Sequence, residues 1–187
     1  MDVRSFLDML HVAERLKDTI RHCCTSQGRP ESVAEHSWRL ALMAFWLKDE
    51  FKELDMHKVI GMCLIHDLGE AFTGDIPVFN KTEAHEEREE ELLNKWVGSL
   101  PEAVRNEMRS LYAEMKERKT DEAKLYKALD SLEALIQHNE APLSSWEKHE
   151  YDLQMTYADE RMKFSEYMMK LREAVREDSK EKICSEK

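Results

Sequence analysis

Apolar side chains along this chain recur at intervals of three and four residues and almost nowhere at two, the period of a helix face rather than of a strand. With only 5 Gly and 4 Pro, the chain also lacks the turns that an all-β sandwich or barrel needs. The expectation is therefore an all-α protein. Its 187 residues and short, non-repetitive connections fit a single compact helical bundle over residues 1–178, with a charged, solvated C-terminal tail over 179–187.

Local signals divide the bundle. Phe6, Leu7, Leu10, Ala13 and Leu16 mark a first helix. The second starts at Ser32, whose hydroxyl can accept from the amide three residues on while Glu35 reaches back, and it runs to about Phe51. Asp55 caps a third helix that is apolar on nearly every face (Val59, Ile60, Met62, Cys63, Leu64, Ile65), so it should be buried. Gly69 is placed to end or bend it, and Thr73–Pro77 forms a turn. An acidic helix follows Lys81-Thr82 to about Trp96 and is broken between Gly98 and Pro101. Another runs from Pro101 to near Lys119, and a further one from Thr120 or Asp121 to about His138. Beyond Pro142, the spacing of Trp146, Leu153, Phe164, Met168, Leu171 and Val175 predicts one long last helix.

Charge narrows the function. Lys and Arg total 28 against 39 Asp and Glu, a formal charge of −11, which disfavours a nucleic acid polymer as partner because such affinity rests on neutralising phosphates with cations. Local basic pockets for small phosphates remain compatible with it. No apolar run is long enough for a bilayer, so no membrane partner is expected. The start, MDVRSFLDML, does not read as a signal peptide, and Cys23, Cys24, Cys63 and Cys184 have no CxxC spacing. Free thiols and a cytoplasmic location are the expectation.

Chemistry concentrates at a few positions. His66-Asp67 ends the buried third helix, where an unpaired carboxylate would be costly and so needs a cation or strong donors. A plain imidazole–carboxylate pair closing the helix would also satisfy it. His36 shares a face with Val33, Leu40 and Met43, which points it inward, as a ligand or as a satisfied core histidine. Asp130 flanks the Leu125/Leu129/Leu132 stripe and is either partly buried or a surface carboxylate. Two imidazoles and two carboxylates from three helices suit one divalent transition metal such as Mn, Co, Ni, Fe or Zn. Spacing permits that site without demonstrating it.

The pattern His36, His66-Asp67, Asp130 resembles the HD-domain superfamily of metal-dependent phosphohydrolases. The strings Glu31–Ser37 (ESVAEHS) and His66–Pro77 (HDLGEAFTGDIP) are more specific, and they are similar to the 5'-deoxynucleotidase branch of bacteria and its eukaryotic relatives. Arg21, fifteen residues before His36, stands where that branch has a phosphate-contacting arginine; the resemblance covers about residues 5 to 140. It implies an HD-type helical domain holding a single metal with His36, His66, Asp67 and Asp130. It implies Glu70 as general acid/base, with Asp75 and Arg21 lining the phosphate pocket. Lys81, just after the same turn, is a further phosphate candidate. Read without the resemblance, Glu70 is a solvated helix-end carboxylate, Arg21 a surface charge, and Asp75 a stabiliser of its own turn.

One position departs from the branch. His22 stands where the bacterial enzymes carry a tryptophan linked to sugars without a 2'-hydroxyl, so His22 is expected to touch substrate while base and sugar preference stay open. The implied activity is a phosphomonoesterase that releases phosphate from a nucleoside 5'-monophosphate, a small-molecule substrate, and acts as a homodimer. Two other readings stand beside it: a non-catalytic nucleotide sensor on the same fold, and a structural helical protein that dimerises through its last helix. A nucleophilic Cys23 beside His22 lacks an orienting partner, and His85-Glu86-Glu87-Arg88 lacks the second histidine of a zincin.

Overall fold

Helix α7, Asp121–Glu140, is the axis on which the rest is assembled in this computed structural model, which describes residues 1–185. Thr120 caps it by accepting from the Ala123 amide, and Ala141 and Pro142 end it in extended conformation. Buried residues fall on nearly all its faces, from Ala123 to Gln137, as expected for a helix enclosed by others.

Around it pack α2 (Val33–Trp46), α3 (Met56–Ile65) and α10 (Glu166–Ser185), which share one apolar core of Leu40, Val59, Met62, Leu129, Leu132 and Met168 with their neighbours. A second core joins Leu16, Val33, Leu68, Val97, Leu100 and Met108 beneath α1 (Val3–Glu14), α5 (Glu83–Ser99) and α6 (Glu102–Glu117). The capping box at Ser32 and Glu35 is present as the sequence implies, and it sets where α2 begins. No described helix is long and apolar enough to cross a membrane.

The structure is predominantly all-α and departs from the helical reading in identifiable places. Ile20–Cys24 (β1) and Pro30–Ser32 (β2) form a short antiparallel hairpin rather than helix or loop. Gly28 turns it with φ of +76°, a left-handed conformation that suits glycine. Its inward-facing residues include Arg21 as well as Cys23, so the strand carries no clean apolar alternation. Helix α2 stops at Trp46, short of Phe51, and α5 continues through Gly98.

The long last helix is instead three: α8 (Glu150–Thr156), α9 (Asp159–Met162) and α10. Ala158 breaks the chain at φ of +64°, and the break is held by distant arginines. Arg172, buried on α10, donates to the Gln154 and Tyr157 carbonyls at 2.8 and 3.2 Å, and Arg176 donates to the Met155 carbonyl at 2.9 Å. These are the carbonyls a helix end leaves unpaired. Helix α10 then continues to Ser185, with Ser179 fully buried and donating to Asn139 Oδ1 at 2.8 Å. The segment from 179 is thus helical as far as it is described, with Lys180, Glu181, Cys184 and Ser185 exposed; residues 186–187 lie outside the described residues.

Between α3 and α5, the chain turns through residues 66–69 into the short helix α4 (Glu70–Thr73). Gly69 keeps helical dihedrals, so its contribution is space: a Cβ there would lie 2.8 Å from Glu89 Cγ, where α5 crosses. Tyr112 of α6 donates to the Ile65 carbonyl at 2.6 Å, fixing the end of α3 from outside.

Candidate active site

His36 sits one turn into α2, His66 at the end of α3, Asp67 in the turn after it, and Asp130 midway along α7. The fold brings all four to one point. His66 Nε2 is 2.9 Å from Asp67 Oδ2 and 3.5 Å from Asp130 Oδ1. His36 Nε2 is 3.1 Å from Asp130 Oδ1, 3.3 Å from His66 Nε2 and 3.9 Å from Asp67 Oδ2. Ligands about 2.1 Å from a first-row ion stand about 3 Å apart when adjacent, so these donors are spaced as a coordination shell would be.

The other nitrogen of each ring has its own protein partner. His66 Nδ1 donates to the Cys63 carbonyl at 2.9 Å, and His36 Nδ1 meets the carboxylate of Glu133. Both rings therefore direct Nε2 inward, the arrangement that presents a lone pair to a metal. The donor set of two imidazoles and two carboxylates fits a divalent first-row ion. Glu133 is fully buried, and sequence reasoning assigns it no role. Its available signal is position, one helical turn after Asp130 on the same helix.

Next to the cluster opens a cavity of about 460 Å³. Arg21, His22, Glu70, Asp75 and Lys81 all line it, so the structure gathers every site residue named from the sequence except His36, which lies beneath. Arg21 reaches over from β1, with Nη1 3.7 Å from Asp67 Oδ2 and Nε 3.2 Å from Glu31 Oε2. Glu31 is itself buried and is the second acidic group that sequence reasoning leaves without a role. Lys81 Nζ lies 2.8 Å from Glu89 Oε2.

Glu70 opens helix α4 and is 5% exposed, so it is not a solvated helix-end carboxylate. Its Oε2 is buried without a hydrogen-bond partner among the described residues. Burial, reinforced by the charges of Asp67 and Asp75, pushes its pKa up to about 10. Burial likewise raises Asp75, with Arg21 opposing. A buried carboxyl with a raised pKa, lining an open cavity, is placed to donate a proton.

His22 faces the same space. Its ring stands edge-on to Phe79 at 5.4 Å, and Nε2 is 3.1 Å from Glu150 Oε1. Cys23 lines the cavity as well, its sulfur 3.1 Å from His138 Nε2. Burial pushes that thiol up to about 12, so Cys23 is not a thiolate nucleophile. The apolar stripe of α10 lies against α7 through Met168 and Val175, so it is consumed within the chain instead of remaining free for a partner.

The HD domain family model matches residues 13–172, a span that includes His36, His66, Asp67 and Asp130, and the chain belongs to that family. Among its relatives is the 5'-deoxynucleotidase HDDC2 of Homo sapiens, 37% identical over 142 residues that make up 73% of this chain and 68% of the human one. The HDDC2 5'-deoxynucleotidase of Dictyostelium discoideum is 32% identical over 143 residues, 71% of this chain and 75% of its own. A solved structure described as a predicted metal-dependent phosphohydrolase, from Magnetospirillum magnetotacticum, superposes with a TM-score of 0.79 at 26% identity, covering 96% of both chains.

Proposed function

We propose that this chain is a metal-dependent phosphohydrolase that releases inorganic phosphate from nucleoside 5'-monophosphates, with deoxynucleotides as the favoured class. The observation that carries it is the convergence of an inward-facing His36–His66–Asp67–Asp130 cluster and a buried Glu70, whose Oε2 has no hydrogen-bond partner among the described residues, on one open cavity. The names of its relatives support the deoxynucleotide class.

The four residues would hold one divalent ion from the series Mn, Fe, Co, Ni and Zn. Such an ion polarises a phosphoryl oxygen and lowers the pKa of water. The remaining work falls to the chain. Arg21 presents a planar fork of donors for the non-bridging phosphate oxygens, and Lys81 adds charge at the mouth. Asp75 shares the cavity with Arg21 and His22. Glu70 gives its proton to the departing 5'-oxygen as the P–O bond breaks, and recovers one from the attacking water. Nucleoside and inorganic phosphate are the products.

His22, with Glu150 behind it, contacts the sugar. An imidazole can accept as well as donate where an indole face would mainly exclude, so ribonucleotides are turned over more readily than a tryptophan at that position would allow. A non-catalytic sensor would have no use for a buried carboxyl left without a hydrogen-bond partner among the described residues on the same cavity. A homodimer is the assembly we infer, supported by the exposed apolar residues Phe6, Leu7 and Leu10 of α1 and Trp38, Phe45 and Trp46 of α2. Free thiols support a cytoplasmic location.

The test is phosphate release from matched ribo- and deoxyribonucleoside 5'-monophosphates by the metal-loaded protein. Turnover of monophosphates with a deoxyribose preference is the expected result. Binding of those nucleotides with no phosphate released would overturn the enzymatic reading in favour of the sensor.

A further inference from the structure

The cations around the cavity differ in what they already hold. Arg21 is engaged by Glu31 and Asp67, Lys81 by Glu89, and Lys127 by Asp130 at 2.6 Å. Two others line the same cavity without any carboxylate partner among the described residues: Arg118, which is exposed, and Arg161, which is half-buried on α9. Arg161 Nη1 instead meets only neutral oxygens, Ser131 Oγ at 2.6 Å and the Tyr157 hydroxyl at 3.0 Å. Its guanidinium carbon stands 5.1 Å from the centre of the Tyr157 ring. Nε and Nη2 have no protein acceptor among the described residues.

This is an unusual state for a chain with 39 acidic side chains against 28 basic ones. A guanidinium taken partly out of water gains from an opposite charge, and surplus carboxylates are plentiful, yet none has been placed here. Tyr157 and Ser131 hold the fork by one nitrogen and leave its other donors open, a geometry suited to a planar or tetrahedral oxyanion. Ser131 directly follows Asp130 on α7, so this fork stands beside the metal-facing cluster but on a different side of the helix from it.

We infer that Arg161, supported by Tyr157 and Ser131, forms a second anion-binding subsite, so that the cavity takes nucleotides carrying a phosphate group besides the one hydrolysed. The inference rests on the phosphohydrolase reading above and extends its substrate class to nucleoside diphosphates or 3',5'-bisphosphates. The two share the same chemistry at Arg161, and the substrates below separate them.

The experiment uses the metal-loaded full chain, as wild type, Arg161→Gln and Arg161→Lys. Each is given deoxyadenosine 5'-monophosphate, 5'-diphosphate and 3',5'-bisphosphate, with phosphate release followed for kcat and KM and binding measured by calorimetry. Loss of one charge-assisted contact predicts that Arg161→Gln raises KM and Kd for one of the doubly phosphorylated nucleotides about tenfold more than for the monophosphate. Arg161→Lys should recover part of that selectivity. Equal weakening of all three nucleotides would mean that Arg161 only ties α9 to α7, and unchanged binding of all three would mean that it meets no phosphate; either overturns the subsite. Should no nucleotide be hydrolysed by the wild type, the phosphohydrolase reading fails, while the calorimetric selectivity still decides the subsite.

Discussion

Glu133 and His36 face each other at the bottom of the site, both cut off from solvent, the carboxylate against Nδ1 of the ring. That contact decides which imidazole nitrogen is left for the cavity. Arg39 Nε, 3.7 Å from Glu133 Oε1, supplies the balancing charge. Replacing Glu133 by Gln should leave the chain folded but lower metal affinity about 10- to 100-fold, the usual effect of losing a group that orients a ligating histidine. Titration with Co(II), read by its visible absorption, measures this directly. An unchanged affinity and spectrum would mean that Glu133 serves packing alone.

Glu70→Gln tests the proton donor separately from the ion. The amide fits the same buried space and cannot give up a proton, so metal content and melting temperature should stay near wild type. Turnover should fall by about 10²- to 10⁴-fold. Full activity in this variant would remove Glu70 from the chemistry.

Arg172 is the structural counterpart. Fully enclosed, it donates to two carbonyls at the end of α8 and its Nε pairs with Asp159 at 3.0 Å. Arg172→Ala strands those acceptors and should cost about 3 kcal/mol in denaturant unfolding. Because Gln154 and Tyr157 line the cavity, substrate KM should rise in the same variant.

Glu35 gives a pH-dependent prediction. The hydrogen bond it accepts from Arg29, with those from Ser32, outweighs the opposing effect of burial and holds the carboxyl at about 2, below its ordinary 4.5. A depressed folded-state value means that the stabilisation is complete above 4.5 and lost as pH falls toward 2. Glu35→Ala removes half of the capping box and should cost about 0.5–1 kcal/mol at pH 7. Urea unfolding of both proteins down the acid range should show the gap closing between pH 4.5 and 2; a gap that stays constant would contradict the assignment.

What the sequence made legible was whatever depends on neighbours along the chain. The capping box at Ser32, the core-facing Val59, Met62 and Cys63 of α3 and the inward placing of His36 follow from spacing, whereas spacing left Asp130 between core and surface, and Leu64, expected inside, is exposed. The hairpin did not, because Arg21 on β1 faces a polar cavity and so breaks the alternation that announces a strand. Nor did the break at Ala158, which has no Gly or Pro beside it and is held by Arg172 and Arg176 from α10. Glu133 and Arg161 stayed silent for the same reason: each takes its meaning from a partner on another helix. The cations expected to greet phosphate, Arg21 and Lys81, are found already paired, which no reading of a linear chain reveals.

The most direct test of the central claim is to strip the protein with a chelator, count bound ions per chain before and after, and add back Mn, Co, Ni, Zn or Mg while following phosphate release from deoxyadenosine 5'-monophosphate. The account predicts one ion per chain, loss of turnover on chelation, and recovery with at least one of the transition metals. Undiminished turnover in the stripped protein, or no ion bound at the His36–His66–Asp67–Asp130 cluster under any of these conditions, would contradict it.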